Sequence, residues 1–276
     1  MNKKRSKKKK KRSKILLLRI VNFILFVVLI FCAVNVFKWQ KDNNEIKDLS
    51  LEFNNISTIT LPNDDVEGVN PPEDQESDYW YYVKLPLTQV DLTELKKKNS
   101  DTVGFLSVSN TNINYPVVQA KNNEYYLNRS FNKTYNGAGW VFADYRNDMN
   151  NFDQNTIIYG HSRLDKSLFG TLRKILSTSW VNNKENHVIR LSTMEENTLW
   201  QVFSVYKIKA ESYYITPRFK SDTEYSKWLN TMMSRSEYNF NTSVNTNDKI
   251  LTLSTCWDTK GNRVVMHAKL IKKAKA

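Results

Sequence analysis

Cysteine is almost absent from this chain, with two in 276 residues. Cys32 falls inside a long apolar run and Cys256 stands alone near the C-terminus, which excludes a disulfide scaffold and a cysteine-rich metal site. Histidine is nearly as scarce, so any proton carrier of that type is His161, His187 or His267. Neither phosphate-cradling signature occurs, no GxGxxG and no Walker loop. There is no internal repeat, and no compact acidic cluster of the kind a calcium site needs.

Acidic charge is also short, at 28 Asp and Glu against 41 Lys and Arg, for a net charge of +13. Its placement matters more than its size. Residues 1–14, MNKKRSKKKKKRSK, carry ten basic residues and no acid, so the remainder is left with only +3. The basicity is a tail, and a body at +3 without a basic-aromatic face is not a nucleic-acid binder.

Next comes ILLLRIVNFILFVVLIFCAVNVF, residues 15–37. At 1.5 Å per residue this spans roughly 34 Å as a helix, enough for a bilayer core. Arg19 can snorkel to one edge, and Asn22 and Asn35 lie near the two ends. The lysine tail predicts a cytoplasmic N-terminus and an extracellular body. A cleaved signal peptide would have a shorter apolar region and a small-x-small site. A lipoprotein reading of LIFC fails at Phe31, where a small residue is required.

The expected organisation is a basic tail (1–14), a transmembrane anchor (15–37), a polar extracellular stalk (38–78) and a catalytic domain (79–276). The stalk reads as partly helical around Ile46 to Phe53 and ends near Pro71-Pro72. A short helix is expected in LTQVDLTELKKKNSD, capped by Asp91 with Glu94 three residues on. Beyond Thr102 come eight short β-rich runs: 103–109, 113–118, 139–143, 156–159, 187–191, 199–210, 249–254 and 263–271. Helical stretches are expected at 168–176 and 222–234. Eight short strands with few helices predict a mainly β protein, a closed antiparallel or mixed barrel.

Cys256 ends the run KILTLSTC, and only six residues separate it from Arg263, which opens the next run. A connection that short predicts a hairpin with thiol and guanidinium side by side. The fixed charge favours a thiolate, and the donor fork suits a developing oxyanion. A cysteine nucleophile also needs a proton carrier, usually histidine. His161 sits at a strand-to-loop exit, and His187 reads as an exposed strand-edge residue. His267 shares the face of Arg263 but lies about 13 Å along the strand. Residue spacing leaves the choice among them open. It equally allows the bland reading, a packed strand-end cysteine beside a solvated arginine.

Taken in order, these residues resemble the class B sortases of Gram-positive bacteria. Thr252-Leu253-Ser254-Thr255-Cys256 matches the family's TLxTC signature, with an arginine shortly after it, and Tyr159-Gly160-His161 matches the segment of the catalytic histidine. LKKKNSDTVGFLSV from Leu95, NTNINYPVVQ from Asn110, YYL at Tyr125 and GWVFADYRN from Gly139 extend the likeness, which runs from about Leu92 to Leu270. The resemblance implies an eight-stranded sortase barrel with peripheral helices, and a membrane-tethered cysteine transpeptidase without metal or cofactor. It implies Cys256 as nucleophile, His161 as general acid/base, Arg263 as oxyanion or orienting group, and Asp258 as auxiliary. The implied substrates are surface proteins with a C-terminal NPxTx-type sorting motif, cleaved after Thr and joined to an amine of the lipid-linked peptidoglycan precursor. Tyr159, Ser254 and Thr255 are expected to rim the groove that docks the motif. A thiol hydrolase on the same scaffold, a pilin-polymerising sortase and a non-enzymatic tethered binder are the rival readings. The Cys256-to-Arg263 connection is short for the class, and the stalk is long.

Overall fold

The computed structural model describes residues 2–54, 57–59, 66–256 and 260–276. Eight strands form the barrel: β1 (Thr102–Val108), β2 (Asn114–Val118), β3 (Phe142–Ala143), β4 (Asn155–Tyr159), β5 (Val188–Ser192), β6 (Glu196–Lys209), β7 (Ile250–Cys256) and β8 (Asn262–Lys275). Their order is β7-β4-β3-β2-β1-β5-β6-β8, and pairing of β7 with β8 closes the ring. The barrel is mixed, because β4 runs parallel to β7 and β2 parallel to β3. The strand Glu67–Gly68 adds to the end of β8.

The strands lack clean alternation because many are covered on both faces. Along β8, Val264, Met266, Ala268 and Leu270 point into the barrel core, while Val265 and Ile271 join separate clusters outside it. The described residues include the α-helices α1 (Asn2–Asn54), α2 (Tyr79–Tyr82), α3 (Thr93–Lys98), α4 (Thr178–Val181) and α5 (Asp222–Ser234). The last matches its expected span and shows why. The Ser221 hydroxyl caps it by accepting the Glu224 N–H, and Tyr225, Trp228, Leu229 and Met232 form its buried stripe at i, i+3, i+4 and i+7.

Several expectations need correction. The run 139–143 yields only the two-residue β3, because Gly139 adopts φ +64° and the Trp140 indole turns in to donate to the Pro116 carbonyl. At α3 the N-cap residue is Leu92, although the Asp91 carboxylate still accepts the Thr93 N–H at 2.8 Å. The stretch 168–176 forms a 3-10 helix over Gly170–Leu176.

On the outer face of the barrel a buried chain of hydrogen bonds links Asn155, Thr252, His267 and Tyr206. Thr252 donates to Asn155 Oδ1 at 2.6 Å, so its oxygen accepts from His267 Nδ1 at 2.8 Å. That leaves His267 Nε2 to accept the Tyr206 hydroxyl, also at 2.8 Å. Burial pushes the His267 pKa down to about 3, with the charge of Arg235 adding to the effect. Burial also lowers His187. Both groups take up protons on unfolding, so their contribution is complete above an unfolded histidine pKa of about 6.5 and is lost as pH falls toward 3. Melting temperature should fall over this window. The gap between wild type and His267→Gln should narrow as it does, by at most about 1.4 kcal/mol per pH unit. A constant gap would contradict a neutral, buried His267.

The chain divides into two compact units, residues 1–45 and 46–276. The first belongs to α1, whose stretch from Lys14 is long and apolar enough to cross a membrane. Within it Asn35 returns its amide to the Phe31 carbonyl at 2.8 Å, so its polarity is met inside the helix. In the second unit, part of the segment expected as stalk is packed: Ile46, Leu49 and Phe53 are buried in the barrel core.

Candidate active site

The site is built where β4 and β7 end side by side. Their parallel register aligns Tyr159 with Ser254, so His161 and Cys256 each lie two residues beyond an aligned pair. Two bonds tie the strands there: Gly160 N–H donates to the Ser254 carbonyl, and the Thr255 hydroxyl donates to the Gly160 carbonyl at 2.6 Å. On the other side of β7, the β7–β8 register places Cys256 opposite Arg263. The short-connection argument is therefore met in the pairing itself. The turn includes Gly261 at φ +86°, a conformation that favours glycine. Asp258 lies outside the described residues.

His161, Cys256 and Arg263 line one cleft of about 300 Å³. The imidazole is held from behind. Its Nε2 lies 2.8 Å from the Leu127 carbonyl, which can only accept, so Nε2 carries the proton and Nδ1 is the nitrogen left for exchange. A Cβ on Gly139 would sit 2.8 Å from His161 Cδ2 and 2.7 Å from the Leu127 carbonyl, so only glycine lets the ring lie there. The Arg263 guanidinium donates to the Asn262 carbonyl and, among the described residues, pairs with no carboxylate. Among the described residues that line the cleft the acid is Glu211, and it is paired with Arg235 at 2.6 Å.

The other two histidines are elsewhere. His267 is wholly buried in the chain described above. His187 is not an exposed edge residue: it is buried beneath α2, with Nδ1 on the Tyr82 hydroxyl at 3.0 Å and Nε2 on the Val181 carbonyl at 2.7 Å. The 3-10 turn Lys184–Asn186 carries the chain inward before β5 starts, and the aromatic rings of Trp180 and Phe240 pack on it.

Tyr159, Ser254 and Thr255 all line the cleft, but their hydroxyls are committed to internal bonds. Tyr159 donates to Asp144 at 2.9 Å, Ser254 shares a bond with Tyr214 at 3.0 Å, and Thr255 holds Gly160. Burial would raise the Asp144 carboxyl, yet hydrogen bonds from Arg146, Tyr159 and Asn123 hold it below the usual carboxylate range. Burial, with the Asp144 charge, pushes the Tyr159 hydroxyl well up, so it stays a neutral donor. What these residues offer the cleft is shape and apolar surface. Leu127, Phe142, Tyr214 and Ile215 add to that lining, and sequence reasoning missed them. They come from β3 and from two 3-10 turns, Tyr125–Leu127 and Tyr213–Ile215, and share no local pattern. Among the described residues no group of three or more His, Cys, Asp or Glu could hold a metal ion.

A closed mixed barrel that brings cysteine, histidine and arginine to one apolar cleft holds the groups that thiol-dependent acyl transfer needs. The sortase-domain family profile matches residues 106–271. The chain is 36% identical to sortase B of Listeria monocytogenes over 186 residues, 66% of this chain and 75% of that protein. It is also 36% identical to sortase B of Staphylococcus aureus over 181 residues, 64% and 73%. Among solved structures, sortase B of Bacillus anthracis superposes with a TM-score of 0.68 at 33% identity, covering 84% of this chain and 99% of that one. The S. aureus sortase B–substrate complex superposes with a TM-score of 0.61 at 36% identity, covering 65% and 83%. The chain belongs to the sortase family. It is a sortase B-type cysteine transpeptidase, and sortases are enzymes of the cell surface.

Proposed function

We propose that Cys256 is the nucleophile, His161 the proton carrier and Arg263 the oxyanion-stabilising group of this transpeptidase. The observation that carries the reading is the placement of Cys256 between its antiparallel partner Arg263 and the end of β4 that presents His161. Cys256 passes its thiol proton to His161 Nδ1, and the Sγ thiolate attacks the threonine carbonyl of an NPxTx-type motif, forming a C–S bond as the oxyanion develops beside Arg263. The C–N bond then breaks, and His161 Nδ1–H protonates the departing amine. An acceptor amine attacks the thioester, the C–S bond breaks, and His161 takes the amine's proton. The apolar cleft suits a short extended peptide, and sortase B has been solved with a substrate, in the S. aureus enzyme, and with triglycine. Those complexes support a sorting-signal peptide and an amine as the two reactants, here a surface protein and the lipid-linked peptidoglycan precursor.

The same reading places residues 1–14 in the cytoplasm, 15–37 in the membrane, 38–78 as the connection and 79–276 outside as the catalytic domain. Tethering would concentrate the enzyme with membrane-retained substrates and a lipid-linked acceptor. Asp258 would be auxiliary.

The test is intact mass and product analysis of the full chain in detergent with NPxTG- and NPxTN-type peptides, with and without triglycine. A thioacyl adduct, and triglycine ligated to the peptide fragment, are expected. Only hydrolysed fragment in the presence of triglycine would make the enzyme a protease. Arg263→Lys should lower kcat about 100-fold, because one ammonium replaces a planar fork of donors. An Arg263→Lys rate near wild type would remove the oxyanion role.

A further inference from the structure

The last turns of α1 carry three fully or nearly buried apolar side chains, Ile46, Leu49 and Phe53, on one face. They belong to the core cluster of the barrel itself. A segment whose task was only to hold the barrel away from a membrane has no physical reason to bury a phenylalanine completely. Phe53 connects to His161 by two routes that start at Trp140.

Phe53 packs edge-on to Trp140, with ring centroids 6.0 Å apart, and to Phe131 at 4.9 Å. Trp140 directly follows Gly139, the bare position against which the His161 ring leans. The Trp140 N–H donates to the Tyr126 carbonyl at 3.0 Å, one residue before the Leu127 carbonyl that receives His161 Nε2. Phe53 therefore backs the wall behind the imidazole.

The second route runs through the loop that carries His161. The Tyr115 hydroxyl oxygen accepts the Leu168 N–H at 3.0 Å. Leu168 is held at φ +48°, a backbone that a leucine keeps only where its neighbours impose it. It bridges back to Ser162, and the next residue, Phe169, donates its N–H to the His161 carbonyl at 3.1 Å. The Tyr115 ring also meets Trp140 edge-on at 5.7 Å, which joins the two routes.

From this geometry we infer that Phe53, acting through Trp140 and Tyr115, is a positioning residue for His161. Docking of the helix end that follows the membrane-spanning stretch fixes the loop and the wall that hold the imidazole. The inference rests on the reading of His161 as the proton carrier. It makes the turns just outside the membrane part of the enzyme's working structure.

The test uses the full chain in detergent micelles, assayed well below each variant's melting temperature. The variants are Phe53→Ala, Phe53→Leu, Tyr115→Phe and a comparator, Leu199→Ala, which is buried in a separate cluster around Tyr79 and Tyr82. Phe53→Ala should lower kcat about tenfold at unchanged KM, and Tyr115→Phe, which removes the one oxygen that holds the Leu168 N–H and no packing, about threefold. Phe53→Leu should recover most of the rate, and Leu199→Ala should leave kcat unchanged. In ¹⁵N-histidine spectra the His161 signal, identified by its loss in His161→Gln, should move in Phe53→Ala and Tyr115→Phe and stay in Leu199→Ala. Unchanged kcat and an unmoved His161 signal in both brace variants would overturn the inference. So would an equal rate loss in Leu199→Ala, which would reduce the effect to general destabilisation. If His161→Gln itself kept the wild-type rate, the assignment of the proton carrier would fail instead, and the inference with it.

Discussion

Cys256→Ala is expected to abolish the thioacyl adduct and to lower the transpeptidation rate about 10⁴- to 10⁶-fold, to the level of peptide binding alone. The reaction needs a covalent bond to sulfur, and no other group can replace it. Cys32 lies in the apolar run of α1, outside the catalytic unit. The position is also tolerant of the change. Cys256 is only partly buried at the end of β7, so its loss leaves no deep cavity. Melting temperature should therefore stay near wild type while activity vanishes. Peptide affinity should persist too, because Tyr214, Ile215 and Leu127 still line the cleft. Adduct formation in Cys256→Ala would remove this residue from the mechanism, and a collapse in melting temperature would return it to a packing role.

His161→Gln should cost about 10²- to 10⁴-fold in kcat, the range for loss of a general acid/base. Glutamine is the informative replacement because its amide N–H can still donate to the Leu127 carbonyl, as Nε2–H does in wild type. The cleft keeps its wall, and only the exchangeable proton at Nδ1 is lost. KM for the peptide should change little. Following the adduct by mass over time would separate the two half-reactions. Both should slow, since the imidazole gives a proton in the first and takes one in the second. Added imidazole should restore part of the rate. A His161→Gln enzyme with full activity would send the search for the proton carrier elsewhere, and the other two histidines are poor candidates. His267 is held neutral in a buried hydrogen-bond chain, and His187 lies under α2.

The limits of sequence reasoning show clearly at the histidines. Spacing along the chain left all three open with His161 ahead for its strand-to-loop position, and the choice rested mainly on likeness to a family. Burial separates them, and burial is a property of how elements pack. His187 looks like a strand opener in the sequence, yet the turn before it carries it inward against Trp180 and Phe240. His267 alternates correctly with Arg263, but the outer face of β8 is roofed by Trp228 of α5. Nothing local to either residue records those covers.

By itself the sequence determined what short-range geometry can carry. The basic tail and apolar run mark a helix able to span a bilayer. The run ending at Cys256 and the six residues before Arg263 dictate a hairpin, because so short a connection allows few other pairings. The stripe of α5 follows from its periodicity. Tertiary structure alone decided the rest. The parallel pairing of β4 with β7 joins Gly160 to Thr255, 95 residues apart, and so delivers a histidine to the cysteine. Closure of the barrel by β7 and β8 gathers cleft residues from loops that share no motif. The burial of Phe53 against Trp140 draws the end of the long helix into the core. Such contacts depend on loop closure and on packing summed over many distant side chains, and no local stretch of sequence encodes either.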